Sequence, residues 1–401
     1  MNFNLVKKPK KEEEDNIVDE EEDIELDEDR SSPNQDAKKK MIKFMLIIIC
    51  GLVFLLIILY VASLLSPKSY TYEEVETILK NAAQSYFTDY PESLPKVEGT
   101  IIEIDSSNLV EAGKMNNISD YMDGAICTGT VQVELSGTEY LYTPYLNCGE
   151  IYSTVELANK VLNESTVNSG YGLYSTNTGY AFRGEDVNNY VQLDKSLWRI
   201  VKVTSNNNLV LISAEGVPYT QYWDNRYNEE RLYEAGINQY DASRIKDYLN
   251  KIYTKPSEED GEVLLSNSDK AKMISFNVCT GKRSINSETK NNTEECTKYI
   301  QNQKMGLLTL SDYLYASIDP NCKSASTKSC KNYNYLTLKE DWWLVTANKD
   351  DTSTVFSVSR SGNVTAENAS NYAIVRPVIY LNSRVLYKDG NGSKDKPYTV
   401  R

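Results

Sequence analysis

Histidine does not occur in the 401 residues. Its absence removes Ser-His-Asp triads, imidazole zinc ligands and imidazole pH switching from the functions open to this chain. No CxxC pair occurs either, so neither a dithiol redox site nor a cysteine-rich zinc site is indicated. A glycine-rich phosphate loop is missing, and so is the strand–helix–strand rhythm that would carry one. Positive charge is in deficit: 43 Lys and Arg stand against 57 Asp and Glu, a net charge of -14. Nucleic acid is therefore not an expected partner, because phosphate binding needs clustered cations that release counterions.

What is present begins with an apolar run. Phe44 to Leu65 is 22 residues without a charge. At about 1.5 Å per residue a helix of this length spans roughly 33 Å, enough to cross about 30 Å of hydrocarbon with its own hydrogen bonds satisfied. A cleavable signal peptide is the competing reading, and Val61-Ala62-Ser63 has the small residues of a cleavage site. Against it, 43 residues precede the run, which is itself longer than the usual signal core of about 7–15. Lys38, Lys39, Lys40 and Lys43 lie just before the span and only Lys68 just after it. The positive-inside bias then predicts a single-pass protein of the cell membrane, N-terminus cytoplasmic and the C-terminal region extracellular. Residues 1–43, with nine basic and fourteen acidic side chains, read as a disordered acidic cytoplasmic tail.

Cys50 falls inside the span, which leaves Cys127, Cys148, Cys279, Cys296, Cys322 and Cys330 outside. An even number in an oxidising compartment suggests up to three disulfides, with about fifteen pairings open in principle. Nearest-neighbour pairing is the favoured one, and the first pair has a geometric argument. "CTGTVQVELSGTEYLYTPYLNC" alternates apolar and polar residues and turns at Gly137-Thr138, which sets Cys127 opposite Cys148 across a hairpin. Pro144 assigns the second strand to an edge and leaves room for a bulge.

The spacing predicts an α+β ectodomain in two parts. Residues 70–160 read as a small helix-plus-hairpin domain. Thr71 and Glu74 form a capping box for an amphipathic helix with Val75, Ile78, Leu79, Ala82, Ala83 and Tyr86 on its apolar stripe. A short helix at "SSNLVEAG" stops at Gly113, and another is expected at "TVELANKVLNE". Residues 165–179, rich in Ser, Thr, Asn and Gly, read as a linker. Residues 180–401 are expected to form a larger α+β domain, with strands at "LWRIVKVT" and "NLVLIS" joined as a hairpin through Asn206-Asn207-Asn208, and a helix at "ASRIKDYLNKIY" capped by Asp241.

The strings "YAFRGEDVNNYVQL", "LWRIVKV", "YWDNRYN", "GLLTLSDYLYAS", "DWWLVT", "VRPVIYL" and "DGNGSKDKPYTV" carry a resemblance. Residues 180–401 resemble an uncharacterised extracellular domain of membrane-anchored proteins from Firmicutes and related low-GC bacteria. That domain is itself similar to the C-type-lectin-like fold of sulfatase-modifying factors and bacterial surface modules. Residues 70–150 resemble the helix-plus-disulfide-hairpin region that often precedes it, and are similar to pilin-like proteins. The resemblance implies a surface module and carries over no catalytic residue.

The candidate ligand-binding residues are Tyr222, Trp223, Asp224, Asn225, Arg226 and Trp343. The first five join aromatic, acid, amide and guanidinium groups in one loop, a mixture suited to a polar ligand. The plainer reading is a long loop stapled by its own aromatics. Trp342 and Trp343 are adjacent, so in a strand they point to opposite faces, which predicts one core and one exposed indole. An exposed one stacks on sugar rings or grips peptides. Trp198 reads as core, Arg199 as the partner of an acid, and Arg376 as a buried salt bridge. Asp389, Asn391, Ser393 and Asp395 alternate like the start of a calcium loop, but Lys394 and Val400 occupy positions that need glycine and a bidentate acid.

The expected function is noncatalytic binding of cell-envelope or surface glycan or peptide ligands by a membrane-anchored extracellular protein. The alternatives are a structural or assembly role in an envelope or pilus-like complex, and a carboxylate-dependent envelope hydrolase. The expected partners are the lipid bilayer, through residues 44–65, and a cell-wall glycan or envelope protein. No cofactor, metal or catalytic residue is assigned.

Overall fold

The computed structural model describes residues 34–65, 70–122, 124–231, 234–258 and 264–401. Two units separate at the boundary between Lys68 and Ser69. In the first, one helix runs from Asn34 to Leu65, and its stretch Ala37–Val61 is long and apolar enough to cross a membrane. The helix starts ahead of the apolar run and takes in residues expected to belong to the disordered tail. Lysine is a good helix former, and the first turns simply propagate from the apolar segment behind them. The rest of that tail lies outside the described residues.

The second unit has two hydrophobic cores. In the smaller, the helix Tyr72–Asp89 opens on the expected capping box, with Thr71 and Glu74 each accepting from the other's backbone N–H. Its buried face carries Val75, Leu79, Ala82, Ala83 and Phe87, while Ile78 and Tyr86 sit at the margin. That face covers a three-stranded antiparallel sheet in the order Ile101–Asp105, Thr128–Ser136, Glu139–Asn147. Gly129 lets helix and sheet approach, since a Cβ there would lie 2.8 Å from the Leu79 methyls. The hairpin register runs unbroken from Ser136↔Glu139 to Thr128↔Asn147, with Pro144 opposite Val131 on the edge strand. The register sets Cys127 against Cys148, and the two are bridged.

The larger core lies around two open sheets. In the nine-stranded sheet the central strands Leu197–Thr204 and Leu209–Ser213 form the expected hairpin, with Asn207 at φ 58° in its turn. The six-stranded sheet orders Val364–Asn368, Thr354–Val358, Trp342–Asn348, Tyr372–Ile374 and Thr220–Tyr222, and Lys282–Arg283 joins the middle strand in parallel. Two further disulfides, Cys279–Cys296 and Cys322–Cys330, close loops of this part.

Several expectations need correction. The helix Leu157–Ser165, expected in the smaller domain, packs Leu157, Ala158 and Val161 into the larger core. The expected linker 165–179 contains the strand Gly172–Thr176, paired with Gly179–Arg183. Its Ser/Thr/Asn/Gly composition builds the two ends of a hairpin, and Leu173 alone anchors it in the core. The helix Arg244–Thr254 is capped by Ser243, whose hydroxyl accepts from the Lys246 N–H, and not by Asp241.

Arg199 and Arg376 are buried, and neither has a carboxylate partner among the described residues. Arg199 donates to Asn189 Oδ1 and to the Tyr335 and Val187 carbonyls, between the Tyr190 and Tyr335 rings. Arg376 donates to the carbonyls of Ser213, Leu336 and Ala214 and lies 4.7 Å from the Trp342 ring. Burial, reinforced by the charge of Arg199, pushes Arg376 down to about 9. Carbonyl oxygens and ring faces supply the negative potential that a salt bridge was expected to give.

The two cores are joined by polar contacts. Arg401 donates to the buried Glu76 carboxylate of the first ectodomain helix and to the Tyr152 hydroxyl at 2.7 Å. Lys388 pairs with Glu73 at 3.3 Å.

Candidate functional site

The segment 220–228 lies at the margin of the six-stranded sheet. Thr220–Tyr222 pairs antiparallel with Tyr372–Ile374, and the register sets Tyr222 directly opposite Tyr372. The two rings lie 4.1 Å apart at 38°, and their hydroxyls are hydrogen-bonded to each other. Tyr372 is 58% exposed and Tyr222 half-buried, so together they present aromatic surface to solvent.

Strand alternation turns the next residue inward. Trp223 is fully buried, donates its indole N–H to the Leu344 carbonyl at 3.0 Å, and lies against Tyr240. Asp224 is also fully buried. It accepts the Arg226 backbone N–H at 2.9 Å and receives the Arg226 guanidinium on both carboxylate oxygens. This contact, opposed by partial burial, holds the Arg226 guanidinium above its ordinary range. Asn225 is exposed at the tip between them.

Trp343 is 1% exposed and donates to the Gln221 carbonyl at 2.8 Å. The expectation that one of the adjacent tryptophans faces solvent fails because every residue of Trp342–Asn348 is buried. The strand is covered on both faces, so opposite directions are both interior. Of the six candidate residues, Tyr222, Asn225 and Arg226 reach the surface. Trp223, Asp224 and Trp343 form its support and cannot contact a ligand.

Sequence reasoning missed Tyr372. Its exposure follows from the alternation in "YAI", where Ala373 is the inward residue, but its pairing with Tyr222 joins positions too far apart in sequence for any local pattern to reveal.

A larger cleft, of about 1200 Å³, opens where the Cys279–Cys296 loop meets the segment 238–241. Lys282, Lys298 and Lys349 line it, with Asp241 and Glu294 facing the same space. Lys282 donates to Asn238 Oδ1 at 2.7 Å, and burial, with Lys298 nearby, lowers its pKa against the pull of Glu230. The mixed charges of this cleft select for no single ligand sign. Among the described residues, no group of three or more Cys, Asp and Glu is arranged to hold a metal ion.

No family model, no curated protein and no solved structure matches this chain.

Proposed function

We propose that this is a single-pass membrane protein whose exterior unit binds cell-envelope or surface glycan or peptide ligands without catalysis. The observation that carries the reading is the Tyr222–Tyr372 pair. Two phenolic rings are fixed against each other by cross-strand register, 4.1 Å apart, with Tyr372 exposed and Tyr222 half-buried. Rigid, amphipathic rings give contact area at low entropic cost, and the adjoining Asn225 and Arg226 add polar groups. The helix Asn34–Leu65 is the anchor, and the lysines at its start orient the unit outward. The resemblance of residues 180–401 to lectin-like surface modules belongs to the same proposal.

An assembly role is the second reading. Ile126 and Ile151 are 95% and 78% exposed beside the two ends of the Cys127–Cys148 bridge, an apolar tip suited to contact with another protein.

The test is binding of the full chain in lipid nanodiscs to panels of envelope glycans and peptidoglycan fragments, beside Tyr372→Ala. Saturable binding that weakens about tenfold in the variant supports the first reading. Undiminished binding in the variant removes the tyrosine pair from it. Silence on every panel leaves assembly as the better account, and crosslinking on intact cells then identifies the neighbours.

A further inference from the structure

Tyr333 has a backbone conformation that disfavours its side chain. Four non-glycine residues have positive φ among the described residues; Asn207, Asn292 and Asn302 are asparagines, which tolerate the left-handed region, and the fourth is Tyr333 at φ 48°. A tyrosine kept there is held by its surroundings. Here the holders are its two neighbours. Asn332 donates to Asp319 Oδ2 at 2.7 Å and accepts the Ser317 hydroxyl on its carbonyl at 2.7 Å. Asn334 is buried and donates to the carbonyls of Tyr313 and Cys330, both at 2.9 Å. Cys330 is in turn bridged to Cys322.

The consequence is that Tyr333 projects into solvent, 49% exposed, from a loop tied down on both sides. Tyr171 stands next to it, with ring centroids 6.3 Å apart, and is 40% exposed. Tyr171 lies so close over Gly184 that a Cβ there would be 2.5 Å from its ring, so this ring too is seated on backbone.

Beside Tyr333 opens a cleft of about 800 Å³. Its charged lining is Lys331, Lys339 and Arg360 against Glu185. Arg360 shares its charge with Asp341 at 3.5 Å, whereas Lys331 and Lys339 have no ion-pair partner among the described residues. In a chain of net charge -14, three of the four charged residues of this lining are cations, with Asp186 also close to Tyr171. Thr337 and Ser361 add hydroxyl groups to the lining.

We propose that this surface binds a saccharide bearing an anionic substituent, with a sugar ring on Tyr333 and a carboxylate or phosphate on Lys331 and Lys339. Ring faces match the C–H face of a pyranose, ammonium groups give charge-assisted hydrogen bonds to the anion, and hydroxyls match hydroxyls. A peptide would need apolar pockets for its anchors, and Leu338 is the one aliphatic residue of the lining. The site uses none of the residues of the Tyr222–Tyr372 edge and stands or falls separately from it.

The test uses the full chain in nanodiscs of zwitterionic lipid with four polymers: phosphomannan, polygalacturonate, neutral mannan and polyglutamate. Binding is expected to phosphomannan, to polygalacturonate or to both, weakening as salt rises, with mannan and polyglutamate at least about tenfold weaker. Which acidic polymer binds distinguishes phosphate from carboxylate. Tyr333→Gly is the informative variant because glycine is at home at this φ; it should melt like the parent yet bind about tenfold more weakly. Lys331→Gln with Lys339→Gln should weaken binding and flatten its salt dependence, whereas Lys96→Gln, an exposed lysine elsewhere, should do neither. The proposal is overturned if neither acidic polysaccharide binds, if mannan or polyglutamate binds as tightly, or if Tyr333→Gly binds like the parent.

Discussion

The Arg283 guanidinium and the Glu295 carboxylate form a 3.1 Å ion pair in which neither side chain is exposed. Arg283 Nε has no hydrogen-bond partner among the described residues, but the other polar atoms of the pair are engaged. Arg283 also donates to Ser311 Oγ at 2.8 Å and to the carbonyls of Ser287 and Thr289 at 2.9 and 2.8 Å. Glu295 accepts the backbone N–H and the hydroxyl of Ser311, at 3.0 and 2.9 Å. The pair ties the loop closed by Cys279–Cys296 to the start of the helix Leu310–Ala316. Removing one charge leaves the other buried and uncompensated, which costs about 3–5 kcal/mol. Glu295→Gln is therefore expected to lose that much in urea unfolding, and Arg283→Met with Glu295→Leu to lose less than Glu295→Gln alone. A Glu295→Gln loss under about 1 kcal/mol would show that the loop relaxes to hydrate the guanidinium.

Trp223 gives the second prediction, and it reverses what the loop's composition suggests. Its indole fills the space between the sheet and Tyr240 and caps the Leu344 carbonyl. Truncation removes a large buried ring and leaves that carbonyl without its donor. Trp223→Ala is expected to cost about 3–5 kcal/mol and to lower the melting temperature markedly. Trp223→Phe should recover part of this by refilling the cavity. A near-parental melting temperature for Trp223→Ala would return the residue to the surface.

The contrast shows which features were legible in the sequence. Several local signals read correctly: the Thr71–Glu74 cap, the 197–213 hairpin, and the Cys127–Cys148 opposition, which follows from counting along one turn. The Ser243 cap and the hairpin of Gly172–Thr176 with Gly179–Arg183 are local features that composition did not reveal. Local signals misread wherever a distant element supplied cover. Trp343 is interior because Gln221 accepts its N–H from 122 residues away. Arg376 finds its carbonyls at Ser213, Ala214 and Leu336, so proximity to an acid was no guide. The strained loop at Tyr333 left no sequence signal at all, because tyrosine gives no hint of positive φ and its constraints come from Asn332, Asn334 and a disulfide acting together.

Asp312 makes part of the stability depend on acid pH in a chain with no histidine to do so. Its carboxylate pairs with Lys202 of the central strand Leu197–Thr204 and accepts from the Thr309 hydroxyl at 2.7 Å and from Asn292 Nδ2 at 3.2 Å. Burial works against ionisation, but the charge and hydrogen bond of Lys202, with the hydrogen bonds of Thr309 and Asn292, outweigh it and hold the pKa below the ordinary aspartate value. A depressed carboxylate pKa contributes stability that is complete above the unfolded value, about pH 4, and disappears as pH falls through the folded one. Asp312→Asn removes the titrating group while keeping the shape of the side chain, which with Thr309 caps the helix Leu310–Ala316. The parent is expected to be more stable than Asp312→Asn at neutral pH, with the gap in urea midpoint constant down to about pH 4 and narrowing below it. A gap that stays constant from neutral pH to about pH 3 would mean that the variant loses packing and not charge, and would assign the acid sensitivity of the fold to another carboxylate.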